Sequence, residues 1–172
     1  MRSTEASPRQ PSAGAFQPKE HAHADCVAAA LSAAERHCAR RGARLTELRR
    51  RVLELIWRSH EPVGAYALLE RLARRRGRVT PPTIYRALDF LIAHGLVHRI
   101  ASRNAYMGCV RPDRDHVGQF LVCSGCGSAA ELDDRRIEHA IRSGAEAAGF
   151  SVERPVVELA GRCPQCRERD AT

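Results

Sequence analysis

Thr80-Pro81-Pro82-Thr83-Ile84-Tyr85-Arg86-Ala87-Leu88-Asp89-Phe90-Leu91 is the stretch on which the fold turns. A proline in the first turn of a helix costs no hydrogen bond, because the first backbone N–H groups have no partner inside the helix. Beyond the prolines, Ile84, Ala87, Leu88, Leu91 and Ile92 recur at helical spacing, and Gly95 marks the stop. Thr83, Tyr85 and Arg86 are left on the outward side, near the N-terminal end.

Upstream, three more helical patterns precede this one. Val27, Ala30, Leu31, Ala34 and Cys38 share a face from Asp25 onward, with Gly42 as the stop. Thr46 is placed to cap a second helix carrying Leu48, Val52, Leu55 and Ile56, ended by His60-Glu61-Pro62-Val63-Gly64. A third carries Ala65, Leu68, Leu69, Leu72 and Ala73, followed by a polar turn, Arg74-Arg75-Arg76-Gly77-Arg78. Short helices joined by breaker-rich turns predict a helix-turn-helix core.

Downstream of Gly95 the period changes to that of strands. Leu96–Ala101 and Ala105–Met107 flank the turn Ser102-Arg103-Asn104, and a hairpin there completes a winged helix. Arg99 and Arg103 then lie on the wing, within reach of phosphates. Residues 108–117 are polar and irregular and read as a hinge. Gln119–Cys123, Ala129–Leu132 and Ser151–Ala160 read as strands, and Arg135–Ala148 as an amphipathic helix with Ile137, Ala140, Ile141 and Ala145 inward. The fold class is therefore α+β, with a winged-helix domain over 25–107 and a small α/β domain over 118–168. Residues 1–24 and 169–172 read as tails, the first of them disordered. A unit of about fifty residues with so small a core calls for a metal staple, a partner subunit, or both.

Charge is distributed in the same two parts. Of 172 residues, 28 are Lys or Arg and 20 are Asp or Glu, a net of +8. Residues 25–94 hold fourteen basic and seven acidic side chains, whereas 95–172 hold eleven of each. A basic half beside a neutral half fits one module for a polyanion and another for a different task. No stretch approaches the roughly 20 apolar residues that cross a bilayer, and the start lacks the apolar core of a secretory signal. The expected protein is cytoplasmic, without membrane attachment. Seven cysteines, an odd number, fit reduced thiols or metal ligands better than a disulfide framework. Cys38 falls on an apolar stripe and reads as core; Cys26 has no reading beyond a free thiol.

Four of the cysteines form two C-x2-C knuckles, Cys123/Cys126 and Cys163/Cys166, separated by 36 residues. Each knuckle presents two thiolates from a tight turn, and two knuckles complete a tetrahedral sphere for zinc. With no open position, such an ion is structural; redox pairing is the competing reading. His98, Cys109, His116 and Glu131 are a second set of ligand types around the wing, hinge and first strands. Two imidazoles, a thiolate and a carboxylate would form a neutral complex with a divalent ion, and the thiolate suits zinc. By spacing alone each also has an ordinary reading, as a strand histidine, a core cysteine, a hinge histidine and a solvated carboxylate.

Thr83-Ile84-Tyr85-Arg86-Ala87-Leu88, the wing after Gly95 and the two knuckles resemble the ferric uptake regulator family of metal-sensing repressors, over about residues 25–168. Pro81–Leu91 and Cys38-Ala39-Arg40-Arg41-Gly42-Ala43-Arg44-Leu45-Thr46 are most similar to its zinc uptake regulator branch. That resemblance implies a homodimer, with the small domain as dimerisation domain. It implies two zinc ions per subunit, a structural one on Cys123, Cys126, Cys163 and Cys166 and a regulatory one on His98, Cys109, His116 and Glu131. Zinc acting as corepressor for binding operator DNA of zinc uptake genes is the function implied. Tyr66 resembles a DNA-contacting tyrosine of the family; Thr83, Tyr85 and Arg86 fall on the recognition helix, with Arg86 placed to bridge guanine O6 and N7. Arg44, Arg49, Arg74–Arg76 and Arg78 are expected to steer phosphates. The iron- and peroxide-sensing branches carry a histidine-rich cluster before the first knuckle, where this chain has Asp113-Arg114-Asp115-His116-Val117-Gly118.

Three alternatives accompany that reading. One is a regulator of the same family sensing iron, manganese or peroxide. Another is a zinc-ribbon module for nucleic acid without sensing. The third is an enzyme with Cys109 as nucleophile and His116 as base. No Gly-rich phosphate loop or Ser/His/Asp framework supports the enzyme, so neither catalysis nor a small-molecule substrate is expected.

Overall fold

The computed structural model describes Phe16 and residues 23–59, 61–76, 79–114, 116–153 and 155–170. Most of the expected N-terminal tail, with His21, lies outside the described residues, as do Gly77 and Arg78.

Helix formation follows the apolar stripes. α1 (His23–Arg40) buries Leu31, Ala34 and Cys38. α2 (Glu47–Trp57) starts at Thr46, whose hydroxyl accepts from Arg49 N at 3.5 Å. It is followed by β1 (Val63–Gly64), α3 (Ala65–Arg76) and α4 (Pro81–Ala93). Gly95, at φ +65°, takes the left-handed turn that ends α4, a conformation that costs glycine little. Leu53, Leu68, Ile84, Leu88 and Leu91 meet in one core at 0–1% exposure. Each such side chain contributes about 1.5–3 kcal/mol by leaving water.

The wing is built on β2 (Val97–Ile100) and β3 (Ala105–Gly108), joined by a 3-10 turn, Ala101–Arg103, and by Asn104 at φ 45°. β1 adds to β3, giving the antiparallel order β1-β3-β2. The sequence reading takes Val63–Gly64 as part of a breaker. Two residues carry no periodicity, so only the pairing of Val63 with Tyr106 reveals the strand.

The second half holds β4 (Gly118–Cys123), β5 (Ala129–Leu132), α5 (Arg135–Ala147), β6 (Val156–Gly161) and α6 (Pro164–Asp170). Its sheet has order β5-β4-β6, with β4 antiparallel to β5 and parallel to β6. The two sheets meet: Ile100 and Met107 of the wing pack with Phe120, Val122 and Ala129.

Four further expectations differ from the structure. Arg74–Arg76 continue α3 rather than forming a turn, since nothing before Gly77 breaks a helix. α6 runs through Asp170, where a tail from 169 was expected, and the last strand starts at Val156 rather than Ser151. Most important, α5 has no buried residue: Ile137, Ile141 and Ala145 are half-exposed, Ala140 is exposed, and Phe150 just beyond is 66% exposed. Its stripe is apolar as read, but among the described residues no side chain of it is buried.

Candidate metal centres and nucleic-acid face

Parallel pairing of β4 with β6 brings the two knuckles together. Cys123, the last residue of β4, is in register with Gly161, so both strands end at the same edge of the sheet. The turn after β4 supplies Cys126, and the start of α6 supplies Cys163 and Cys166. The four sulfurs lie within 4.8 Å of one another, and Cys126 Sγ to Cys163 Sγ is 3.7 Å. Tetrahedral zinc with Zn–S bonds of about 2.3 Å sets sulfurs about 3.8 Å apart, whereas a disulfide holds them near 2.05 Å. The geometry fits the ion, and all four cysteines are free.

The surroundings favour thiolates at some of these sulfurs and not others. The Cys163 amide, 3.3 Å from Cys123 Sγ, helps bring that thiol down to about 6. Ser128 lowers Cys126, while burial pushes Cys163 up to about 11. Arg169 Nη2 donates to Cys166 Sγ at 2.7 Å, placing a positive charge beside a centre that four thiolates would leave negative. Ionising all four sulfurs therefore calls for a cation among them. Phe16, in the stretch read as tail, packs against Cys123, Cys163 and Cys166; a lone phenylalanine in a Pro/Ser/Gln-rich segment gave no signal of this.

The second set converges from three places. His98 lies on β2 of the wing, Cys109 and His116 at either end of the connection between the halves, and Glu131 on β5. Their ligand atoms also lie within 4.8 Å of one another. His116 Nε2 is 2.6 Å from Glu131 Oε1 and 3.6 Å from Cys109 Sγ. His98 Nε2 is 3.0 Å from the same carboxylate oxygen but off the axis of a hydrogen bond, so this buried nitrogen has no hydrogen-bond partner among the described residues. A buried imidazole nitrogen aimed at an anion without bonding it is what a cation between them would explain.

Neighbouring groups fix these donors. His116 Nδ1 donates to the Arg114 carbonyl at 2.9 Å, which orients the ring so that Nε2 faces the cluster. Glu131 Oε2 accepts from Val110 N at 3.1 Å, and Cys109 Sγ from Arg111 N at 3.4 Å. Cys109 and Glu131 are each 3% exposed. Burial disfavours the Glu131 carboxylate, yet the two imidazoles outweigh it and hold its pKa at about 2. Burial likewise raises Cys109, but His116 and His98 bring it below the ordinary thiol value. In return, bonds to Cys109 and Glu131 lift His116 to about 11; at His98 burial works the other way, but the nearby Cys109 sulfur and Glu131 carboxylate overcome it and the imidazole reaches about 9. Two imidazolium protons thus face the Glu131 carboxylate and the Cys109 sulfur, positive charge that one divalent ion would replace.

On the helical face, Tyr66 at the start of α3 is 72% exposed and Tyr85 on α4 is 42% exposed. Arg86 is exposed and Thr83 half-buried, its hydroxyl 2.9 Å from that of Thr80. Arg99 donates to Asn104 Oδ1 at 3.0 Å, and Arg103 is exposed at the wing tip. Arg44 and Arg74 are exposed. Arg49, expected to steer phosphates, has its guanidinium 3.5 Å above the Phe90 ring and donates to Arg44 O at 2.7 Å. Sequence reading also passed over Glu54, buried between Arg51 at 2.6 Å and Arg58 at 2.5 Å. The signal was available, because i,i+3 and i,i+4 spacing on a helix brings opposite charges together.

Winged helix, second sheet and a ligand cluster spanning the connection define a DNA-binding protein of the metal-regulated kind. The sequence profile of the ferric uptake regulator family matches residues 40–160. The chain belongs to that family. It is 37% identical over 142 residues to the zinc uptake regulation protein of Escherichia coli (strain K12), covering 82% of this chain and 83% of that one. The zinc uptake regulation protein of Mycobacterium tuberculosis (strain CDC 1551 / Oshkosh) is 30% identical over 129 residues, covering 73% and 96%. Among solved structures, a zinc uptake regulator complexed with zinc and DNA superposes with TM-score 0.81 at 35% identity, over 85% of this chain and 98% of that one. Holo XcZur superposes with TM-score 0.74 at 42% identity, over 80% and 96%.

Proposed function

We propose that the chain is a zinc-responsive transcriptional repressor whose zinc-loaded homodimer binds operator DNA of zinc uptake genes. One observation carries the reading: His98 from the wing, Cys109 and His116 from the connection, and Glu131 from the second sheet converge on one point. A divalent ion held there ties the DNA-binding half to the other half and replaces two protons. In a dimer, that fixes the separation of two recognition helices, which must match half-sites about 34–36 Å apart or a multiple of it. The chain is a regulator and not an enzyme.

The remaining roles follow from placement. Residues 25–107 serve as the DNA-binding domain, 108–117 as hinge and 118–168 as dimerisation domain. Four thiolates drawn wholly from the second half make a structural centre, because none reaches across the hinge. Thr83, Tyr85 and Arg86 present α4 to the major groove; Tyr66, Arg99 and Arg103 contact the flanking backbone. The uncovered apolar face of α5, with Val156 and Leu159 of β6 at 55% and 48% exposure, supports pairing of two subunits through this half. No described helix is long and apolar enough to cross a membrane, which accords with a cytoplasmic site of action. A nitrogen, sulfur and oxygen donor set with a buried thiolate favours zinc over iron(II) or manganese(II).

DNA binding measured at buffered free zinc, with iron(II) and manganese(II) alongside, tests the reading on fragments upstream of metal-transport genes. Zinc alone is expected to switch on sequence-specific binding. An equal response to iron or manganese would reject the zinc assignment, and no metal response on any fragment would reject the regulator.

A further inference from the structure

The wing tip is fastened to the second half at a point distinct from the ligand cluster. The 3-10 turn Ala101–Arg103 begins after Ile100, whose side chain supplies no cap. Its first amides would be left to water, as at any helix start. Instead Glu158, on β6, reaches across: Oε1 accepts from Ala101 N at 2.6 Å and Oε2 from Ser102 N at 3.0 Å. One carboxylate thus takes two consecutive amides from a segment more than fifty residues away in the chain. Glu158 is in register with Phe120 of β4, which packs on Ile100, the residue just before the turn. Arg103, at the end of the turn, lies over the first knuckle, where a Cβ at Gly127 would sit 2.5 Å from its Nη2.

We propose that Glu158 is a positioning residue for DNA binding, docking the wing onto the second sheet in the arrangement that presents α4 and the wing to an operator. The role rests on the regulator reading above. His98 and Ile100 lie two residues apart on β2, so the ligand cluster and the carboxylate clamp grip the same strand on either side of the Ile100–Phe120 contact. The ligand cluster holds the base of the wing; Glu158 holds its tip, where Arg99 and Arg103 must meet phosphates. The clamp is present in a chain whose fold superposes over 85% of its length on a relative complexed with zinc and DNA. A wing freed at its tip would spread over many orientations and align its arginines in a fraction of them.

Full-length Glu158→Ala and Glu158→Gln are the variants, each compared with wild type as the zinc-loaded dimer. Two charge-assisted bonds are lost in the alanine variant, and solvent at this partly exposed position moderates the effect, so a loss of roughly fivefold to tenfold in operator affinity at saturating zinc is expected. Zinc binding at the second centre should weaken by a similar factor through linkage. Glutamine, which retains an acceptor oxygen, should fall between alanine and wild type. Amide exchange at Ala101 and Ser102 in the zinc-loaded protein, read by NMR without DNA, should accelerate about tenfold in the alanine variant. Unchanged exchange would overturn the clamp, and faster exchange with wild-type operator affinity would overturn its positioning role. Wild type that binds no operator at any zinc level would instead reject the regulator reading, a failure separable from that of the clamp by the exchange measurement.

Discussion

Cys109→Ser should separate metal control from folding. The serine hydroxyl fits the space of the thiol and can still accept from Arg111 N, which lies 3.4 Å from the sulfur. The fold should therefore lose only about 1 kcal/mol. The zinc centre loses far more. Four-ligand zinc sites contribute about 10–16 kcal/mol, so one ligand of four accounts for roughly 3 kcal/mol, or about a hundredfold in zinc affinity. Removing the buried thiolate also leaves Glu131 as the single anion facing His98 and His116, 3.0 and 2.6 Å away. Binding of labelled operator is followed by anisotropy across zinc buffers centred on the wild-type midpoint, with thermal melting and sedimentation on the same samples. The variant should remain a folded dimer holding its four-cysteine zinc, and its operator affinity should stay at the metal-free level through the wild-type range. A wild-type zinc midpoint in the folded variant would refute the assignment of Cys109.

The four-cysteine centre should respond differently. Cys166→Ser removes a buried sulfur that joins α6 to the sheet edge, and should yield monomers with a disordered second half, seen by sedimentation and loss of amide protection; a stable dimer at ordinary zinc would count against a structural role. Proton release is the next test. Since His98 and His116 are lifted to about 9 and 11, zinc uptake at pH 7.5 should expel at least two protons, measured by calorimetry in buffers of different ionisation enthalpy. Zinc affinity at that centre should then rise with pH by up to about a hundredfold per unit below pH 9, and a pH-independent affinity would contradict the charge balance. Glu54→Gln should cost about 1–2 kcal/mol in denaturant unfolding at pH 7, rather than the larger loss of a fully buried pair, because Arg51 and Arg58 keep access to water. Burial raises the Glu54 carboxyl but Arg58 and Arg51 bring it below its usual value, so its stabilisation is complete above an unfolded pKa near about 4.3. The gap between wild type and variant should narrow as pH falls through the folded value.

Local pattern carried the DNA-binding half almost entirely. Proline at the start of α4, a capping threonine at 46 and apolar residues at helical spacing act within a few residues, so the sequence displays them directly. β1 was invisible because two residues acquire strand character only by pairing with β3. The apolar stripe of α5 was legible as a stripe, but none of its residues is buried, so reading it as inward assumed a core that the described residues do not form. The two knuckles could be joined from spacing, since C-x2-C restricts each pair locally. His98, Cys109, His116 and Glu131 share no such spacing; family resemblance grouped them before the structure brought their ligand atoms together. Glu158 had no signal at all. Its partners are backbone amides, which every residue but proline offers, so only tertiary structure singles out Ala101 and Ser102.

Placement of the donors argues for two different metal functions even where the metal is the same. The four sulfurs come from β4, its following turn, and the start of α6, all within one sheet edge that β4–β6 pairing already holds. Binding there stabilises the second half but gains nothing from any rearrangement of the first, so it carries no information to the recognition helix. The mixed cluster draws one ligand from the wing and one from the second sheet, and any opening of the proposed hinge would separate them. A ligand can shift an equilibrium only by its differential affinity for the two states. A cluster that exists solely when the halves are closed has that differential built in, whereas an intact four-thiolate centre has none. Charge sharpens the distinction: in the metal-free cluster two imidazolium protons face the Glu131 carboxylate and the Cys109 sulfur. The response to zinc then depends on exchanging two protons, each bound to one imidazole, for one ion that binds both imidazoles and both anions at once. On the proposed mechanism only an ion would link all four positions, so metal rather than protonation would set the angle between wing and sheet.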